Sequence, residues 1–425
     1  MKIQSIIRAA LLLAVALQLG VAAKPDPELE KLYRDKQYFE LRDALSKLDR
    51  DKSGDLLFYR GAVSNKFNRP QASINYLQSY LKTAAAKAPV EFVKDSYLML
   101  ADNYVKTYQY RKAADAFKAI PARFARELDE EETEGIANGA SLWGALADVP
   151  RQSVTLKGDS RIQTTKDKAR LTNLPVRINN QTVSLVFDTG ANISTATESF
   201  AKQWNFKIIE ASIDVSTITG KSVKARLGIA PPMEIGSVVV RNAVFLIFDD
   251  KDLYFPQVDY QINAILGFPV IEAFREFTIA KNGELFIPAK ARSRGRQNMC
   301  LDELTPLVQA THRGRSLTFS FDTGAQSSSL NRPFYEAFED EIKAKHTAQT
   351  GRIGGAGGSR EVEMYRLPSF DINISGRDVR LPNVKVLTET GNKNSHFLHG
   401  NLGQDLIRQF ERMTINFEAM SLVFE

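Results

Sequence analysis

The chain has a single cysteine, Cys300, among 425 residues. No disulfide can form within it, so its stability must come from packed cores. Histidine is also scarce: His312, His346, His396 and His399 are all there are. They form no His-Glu-x-x-His run for zinc and no motif with Cys300. There is no Gly-x-Ser-x-Gly nucleophile elbow and no Walker-type phosphate loop. No basic stretch is interleaved with aromatics, so the net charge of +6 carries no nucleic-acid footprint. Cys300 itself falls in a polar stretch and reads as a linker thiol without a role.

The longest apolar run, Ala9 to Val21, is short of the ~20 residues a membrane span needs. Lys2 and Arg8 precede it, and Val21-Ala22-Ala23 follow with the small residues a signal peptidase cuts after. Residues 1–23 therefore read as a cleaved secretory signal peptide, which places the mature protein outside the cytoplasm, secreted or periplasmic, with a bacterial periplasm preferred. No stable membrane insertion is expected after cleavage.

What is present is a change of pattern near residue 150. From Pro27 to Leu146, apolar residues recur at three- and four-residue steps, as amphipathic helices require. Small residues, Ala62 and Ala101, occupy positions where paired helices approach. The arrangement resembles tetratricopeptide-type repeats, with an Ala-to-Ala spacing somewhat longer than their ~34-residue period. The Tyr and Phe stripe reads as repeat core, and the repeats are a candidate surface for a protein partner.

Beyond that point period-two alternation takes over, and it occurs twice. Leu185-Val186-Phe187-Asp188-Thr189-Gly190-Ala191 in the first copy matches Phe319-Ser320-Phe321-Asp322-Thr323-Gly324-Ala325 in the second. A hairpin precedes each, turning at Asn179-Asn180 or Arg313-Gly314. Gly220 and Gly354 stand at the same offset from their aspartates, and Gly267 and Gly403 at nearly equal ones. A terminal strand, Leu285-Phe286-Ile287 or Leu422-Val423-Phe424, closes each copy.

Asp-Thr-Gly-Ala after an apolar strand, with Ile265-Leu266-Gly267 near the end of the first copy, resembles the pepsin and retropepsin superfamily of aspartic proteases. The resemblance implies a multidomain α plus β chain. An N-terminal helical repeat domain at 24–150 would precede a bilobal all-β acid-protease fold of two retropepsin-like barrels, at 151–292 and 293–425. It implies an endopeptidase acting on peptides or proteins, without cofactor or metal, as a monomer. Asp188 and Asp322 would be the catalytic pair sharing one proton, an arrangement for which aspartic proteases are the standard example. Thr189 and Thr323 would lock the two loops together, and Gly190 and Gly324 would let them approach. Ala191 and Ala325 lack the hydroxyl often found there, which predicts a less acidic optimum than pepsin's. Thr219 and Gly220, with Gly354 and Gly355, would form two flaps over substrate. Asn401, standing where the first copy has Ile265, is expected to weaken the packing of the second. A rival reading keeps the lobes as relics in an exported binding or scaffold protein that acts through its helices.

Overall fold

The computed structural model describes residues 26–48, 54–85, 88–216, 222–256, 259–292, 295–355, 358–389 and 396–425. The expected signal peptide, and Thr219 and Gly220, lie outside these.

Among the described residues, seven helices come first: α1 (Pro27–Arg34), α2 (Tyr38–Lys47), α3 (Gly54–Lys66), α4 (Pro70–Thr83), α5 (Val90–Lys106), α6 (Tyr110–Phe124) and α7 (Glu130–Ala145). The first six make three hairpins. Each hairpin turns on a residue with left-handed backbone: Lys36 (φ 51°), Asn68 (φ 53°) and Tyr108 (φ 55°). Pro70 starts α4, where its missing N–H leaves no bond unmade. Ala62 and Ala101 are fully buried, as close helix packing demands. The aromatic stripe is core: Phe58 stacks on Phe92 at 4.5 Å, and Tyr33 meets Phe58 edge-on at 4.8 Å. None of the helices among the described residues is long and apolar enough to cross a membrane.

Two β lobes follow. In the first, Thr172–Ile178 and Gln181–Phe187 form the expected hairpin, with Asn179 and Asn180 both at positive φ in its two-residue turn. Strand Ala264–Leu266 then inserts between Gln181–Phe187, to which it runs parallel, and Ser194–Thr197, to which it runs antiparallel. The second lobe repeats this plan. Thr305–His312 and Arg315–Phe321 turn at Arg313-Gly314, and Gly400–Leu402 inserts between Arg315–Phe321 and Ser329–Leu330. Among the described residues the lobe sheets have eleven and eight strands.

A third, five-stranded sheet joins the lobes. It has the order Ser160–Gln163, Glu284–Ile287, Glu276–Ala280, Arg412–Asn416, Ser421–Phe424. The terminal strand of each copy lies here, and Glu276–Ala280 pairs antiparallel with Arg412–Asn416 across the boundary. The lobes are thus related about an axis through this pairing.

Cys300 corrects its sequence reading. It is fully buried in strand Met299–Asp302, opposite Leu307. The apolar triplet Met299-Cys300-Leu301 is the first strand of the second lobe rather than linker, and burial pushes the thiol far above its usual pKa.

The helical hairpins dock on the lobes through their turns. Lys36 and Lys66 both pair with Asp302, and Lys36 also lies over the Phe397 ring, 4.4 Å from its centre. Asn68 donates to Glu272 Oε1 (3.0 Å), and the Tyr108 hydroxyl donates to the Pro269 carbonyl (3.3 Å). Burial works against charge on Asp302, yet Lys66 and Lys36 hold its carboxyl below the usual value. At the other end, the Asn138 amide on α7 pairs with the backbone of Asp214, donating to its carbonyl (2.7 Å) and accepting from its N–H (3.2 Å).

Candidate active site

Each aspartate sits where an apolar strand runs out into a tight loop. Phe187 and Phe321 are fully buried and anchor the strand ends, so the next residue is forced out at the lobe boundary. The two loops meet there. Thr189 and Thr323, both buried, exchange hydrogen bonds reciprocally. The N–H of Thr189 donates to Thr323 Oγ1 and the N–H of Thr323 to Thr189 Oγ1, each at 3.0 Å. Each hydroxyl then donates to the opposite strand end, Thr189 to the Phe321 carbonyl and Thr323 to the Phe187 carbonyl, each at 3.1 Å. Four bonds thus make one rigid block of the two loops.

The block leaves no room for side chains at Gly190 and Gly324. A Cβ on Gly190 would lie 2.5 Å from Cγ of Asp322, and one on Gly324 would come closer still to Asp188. Only glycine permits this crossing. The carboxylates are held from within their own loops as well. Gly190 N–H donates to Asp188 Oδ1 (2.8 Å), and the N–H groups of Gly324 and Ala325 donate to Asp322 Oδ1 (2.7 and 3.1 Å). The pair is crowded by protein yet still partly open to solvent. Burial pushes the Asp188 pKa well above the carboxylate range, the facing charge of Asp322 pushes it further, and a hydrogen bond between the two carboxyl groups adds to this. The N–H groups of Gly190 and Ala191 pull the other way without prevailing.

Behind each loop lies a support that sequence reasoning missed. Ser194 Oγ accepts from Gly267 N–H, and Ser328 Oγ accepts from Gly403 N–H, each at 3.0 Å. The next residues, Phe268 and Gln404, donate their N–H to the Ala191 and Ala325 carbonyls at 2.7 and 2.8 Å. Both serines stand at the same offset from their aspartates, a signal the internal repeat did contain. Asn401, expected to weaken the second lobe, is instead matched. It faces Ser320, whose hydroxyl donates to its Oδ1 (2.7 Å).

Of the flap residues, Gly354 and Gly355 lie at the end of strand Gln349–Gly355, paired with Ser359 and Gly358 in a hairpin. The first-lobe counterpart, Lys207–Ser216 with Ser222–Ile229, is also a hairpin. Thr219 and Gly220 come between its two strands in sequence and lie outside the described residues.

The family comparison agrees with this geometry. An aspartyl protease family model matches the chain twice, over residues 174–270 and 308–406, each match holding one Asp-Thr-Gly loop and its supporting glycine. Over these residues both lobes are similar to the aspartyl protease family. No curated protein matches the chain.

Proposed function

We propose that this protein is an exported aspartic endopeptidase whose single active site is built from Asp188 of one lobe and Asp322 of the other. The observation that carries this reading is the reciprocal threonine lock, which brings both carboxylates of one chain face to face. Two such groups share one proton. The ionised carboxylate takes a proton from a water molecule, and the resulting hydroxide oxygen bonds to the scissile carbonyl carbon. The protonated carboxyl gives its proton to the carbonyl oxygen, forming a neutral diol. One diol hydroxyl then returns its proton to a carboxylate as the C–N bond breaks, and the amine nitrogen leaves with the proton the other carboxyl had taken from water. The products are a carboxylic acid and an amine, and the pair regains its single shared proton.

The two long hairpins, one of them carrying Gly354 and Gly355, serve as flaps in this reading, with Thr219 and Gly220 assigned to the first-lobe flap from the sequence repeat. The basic, then apolar, then small-residue leader supports export, with residues 1–23 removed. The remaining divisions are a repeat unit of tetratricopeptide type at 24–150 and lobes at 151–292 and 293–425. A site complete within one chain supports a monomer. The helical unit presents a protein-binding surface for substrate or partner on whatever area its docked turns leave free.

The test is hydrolysis of a denatured protein mixture by the mature chain between about pH 3 and pH 7, a window that takes in the upper titration of a shared-proton carboxylate pair. Asp188→Asn and Asp322→Asn are run beside it, with a statine-type inhibitor. Activity abolished equally by either substitution and blocked by the inhibitor is the expected result. Activity surviving both substitutions would overturn the mechanism.

A further inference from the structure

The strands beneath the two aspartates differ in polarity at one register position. In the first lobe, Ile265 faces Val186 across the parallel strands, an apolar couple. At the same position in the second lobe, Asn401 faces Ser320. Both members have become polar together. Two polar side chains in a partly buried sheet are costly unless their hydrogen bonds are made. Here they are made in one direction. Ser320 Oγ donates to Asn401 Oδ1 (2.7 Å), and Asn401 Nδ2 points at Asp322 Oδ2, 3.4 Å away. A carboxylate can only accept, so the amide must turn its NH₂ toward Asp322 and its oxygen toward the serine. Asp322 is therefore served on both oxygens, by the loop N–H groups on Oδ1 and by Asn401 on Oδ2. Ile265 can offer Asp188 nothing comparable.

We propose that Asn401 is a positioning residue that breaks the symmetry of the pair, holding the negative charge on Asp322 and leaving the shared proton on Asp188. The inference rests on the shared-proton reading above and assigns its roles. Asp322 takes the proton from water, and Asp188 gives its proton to the carbonyl oxygen. The raised pKa of Asp188 has the same sense.

The other charged groups around the Asp322 loop act through intermediates. Lys166, reaching over from the first lobe, donates to Gln404 Oε1 (2.6 Å), and Gln404 Nε2 donates to the Thr323 carbonyl (2.8 Å). A positive charge thus stands behind this loop, where the first lobe has Phe268. Asp405 is bound by the N–H and hydroxyl of Ser328, and Arg408 donates to the Gln326 carbonyl. These groups stay constant in the test below.

The pH dependence of kcat/KM on a peptide substrate is compared for the wild type, Asn401→Leu and Ile265→Asn. Withdrawing the donor in Asn401→Leu should move the acid limb up by about one pH unit, the scale of one hydrogen bond to a charge. Adding a donor beside Asp188 in Ile265→Asn should move the basic limb down. Profiles that differ from the wild type only in height overturn the proposal. Thermal unfolding between pH 3 and 7 gives a second readout that needs no activity. The melting-point deficit of Asn401→Leu should be largest at neutral pH and shrink on acidification. A deficit that ignores pH marks a packing role only and also overturns the proposal. If no protein in the series hydrolyses peptide, the proposed reaction fails while the unfolding series still decides the charge assignment. Should Asn401→Leu not fold, Asn401→Ser, which keeps the strand polar but withdraws the long amide, takes its place in both measurements.

Discussion

Thr278 and Thr414 meet hydroxyl to hydroxyl, 2.8 Å apart, in the two strands that join the lobes. They are partners in register, so the axis relating the lobes passes close to them. Thr189 and Thr323 meet in an equally reciprocal way. One pair of threonines ties the lobes at their shared sheet and the other at the loops, and together they fix how the two aspartates face each other.

The loop lock is the first target. Thr189→Val keeps the shape but removes the acceptor for the Thr323 N–H and the donor to the Phe321 carbonyl. Leaving a buried N–H unmet should cost about 1–3 kcal/mol of stability. Chemical denaturation measures this, and proteolysis should fall with it because the carboxylates lose their relative placement. Thr323→Val should match it closely.

Asp188 ties stability to pH. An acid whose folded pKa is raised contributes stability that is complete below its unfolded pKa. That contribution is lost as pH rises through the folded value. The wild type therefore bears a cost at neutral pH that Asp188→Asn does not. The variant should melt higher than the wild type at pH 7, and the gap should close toward pH 3.5. Scanning calorimetry at several pH values reads the difference directly.

The helical unit is held by ionic as well as apolar contacts. Asp302→Asn leaves Lys66, whose side chain is 10% exposed, without its counter-charge. Removing one member of a mostly buried pair should cost about 3 kcal/mol. Limited proteolysis should then cut first between the helical unit and the lobes, around residues 146–152.

Asn138 caps the open edge of strand Lys207–Ser216. In Asn138→Ala the Asp214 N–H loses its partner, so amide exchange across that hairpin should speed up. Among the described residues the second-lobe strands Gln349–Gly355 and Gly358–Ile374 have no such tether to α7, and they should exchange unchanged. Hydrogen–deuterium exchange with peptide-level readout separates the two.

What the sequence made legible was local. Asp188-Thr189-Gly190 and Asp322-Thr323-Gly324, the Asn179-Asn180 turn and the helical period all follow from neighbours in the chain, and the repeat exposed the loops by showing them twice. The Cys300 strand was hidden because three apolar residues at the end of a polar stretch are too few to show alternation. Asn401 looked like a defect because its partner Ser320 lies far away in sequence, and only strand register brings them together. The docking of Lys36, Asn68 and Tyr108 was invisible for the same reason. Left-handed turns signal where helices end, not what they rest against.

The joining sheet has one more consequence. Cut the chain between the lobes, and each half is left with an open edge, Glu276–Ala280 in one and Arg412–Asn416 in the other. An unpaired edge recruits a strand of matching pattern. Since the two edges already pair antiparallel around a near-symmetric threonine contact, a second copy of the same half presents a fitting mate. Half of this molecule expressed alone is thus expected to pair with a copy of itself, and covalent connection of the lobes favours the pairing of unlike halves.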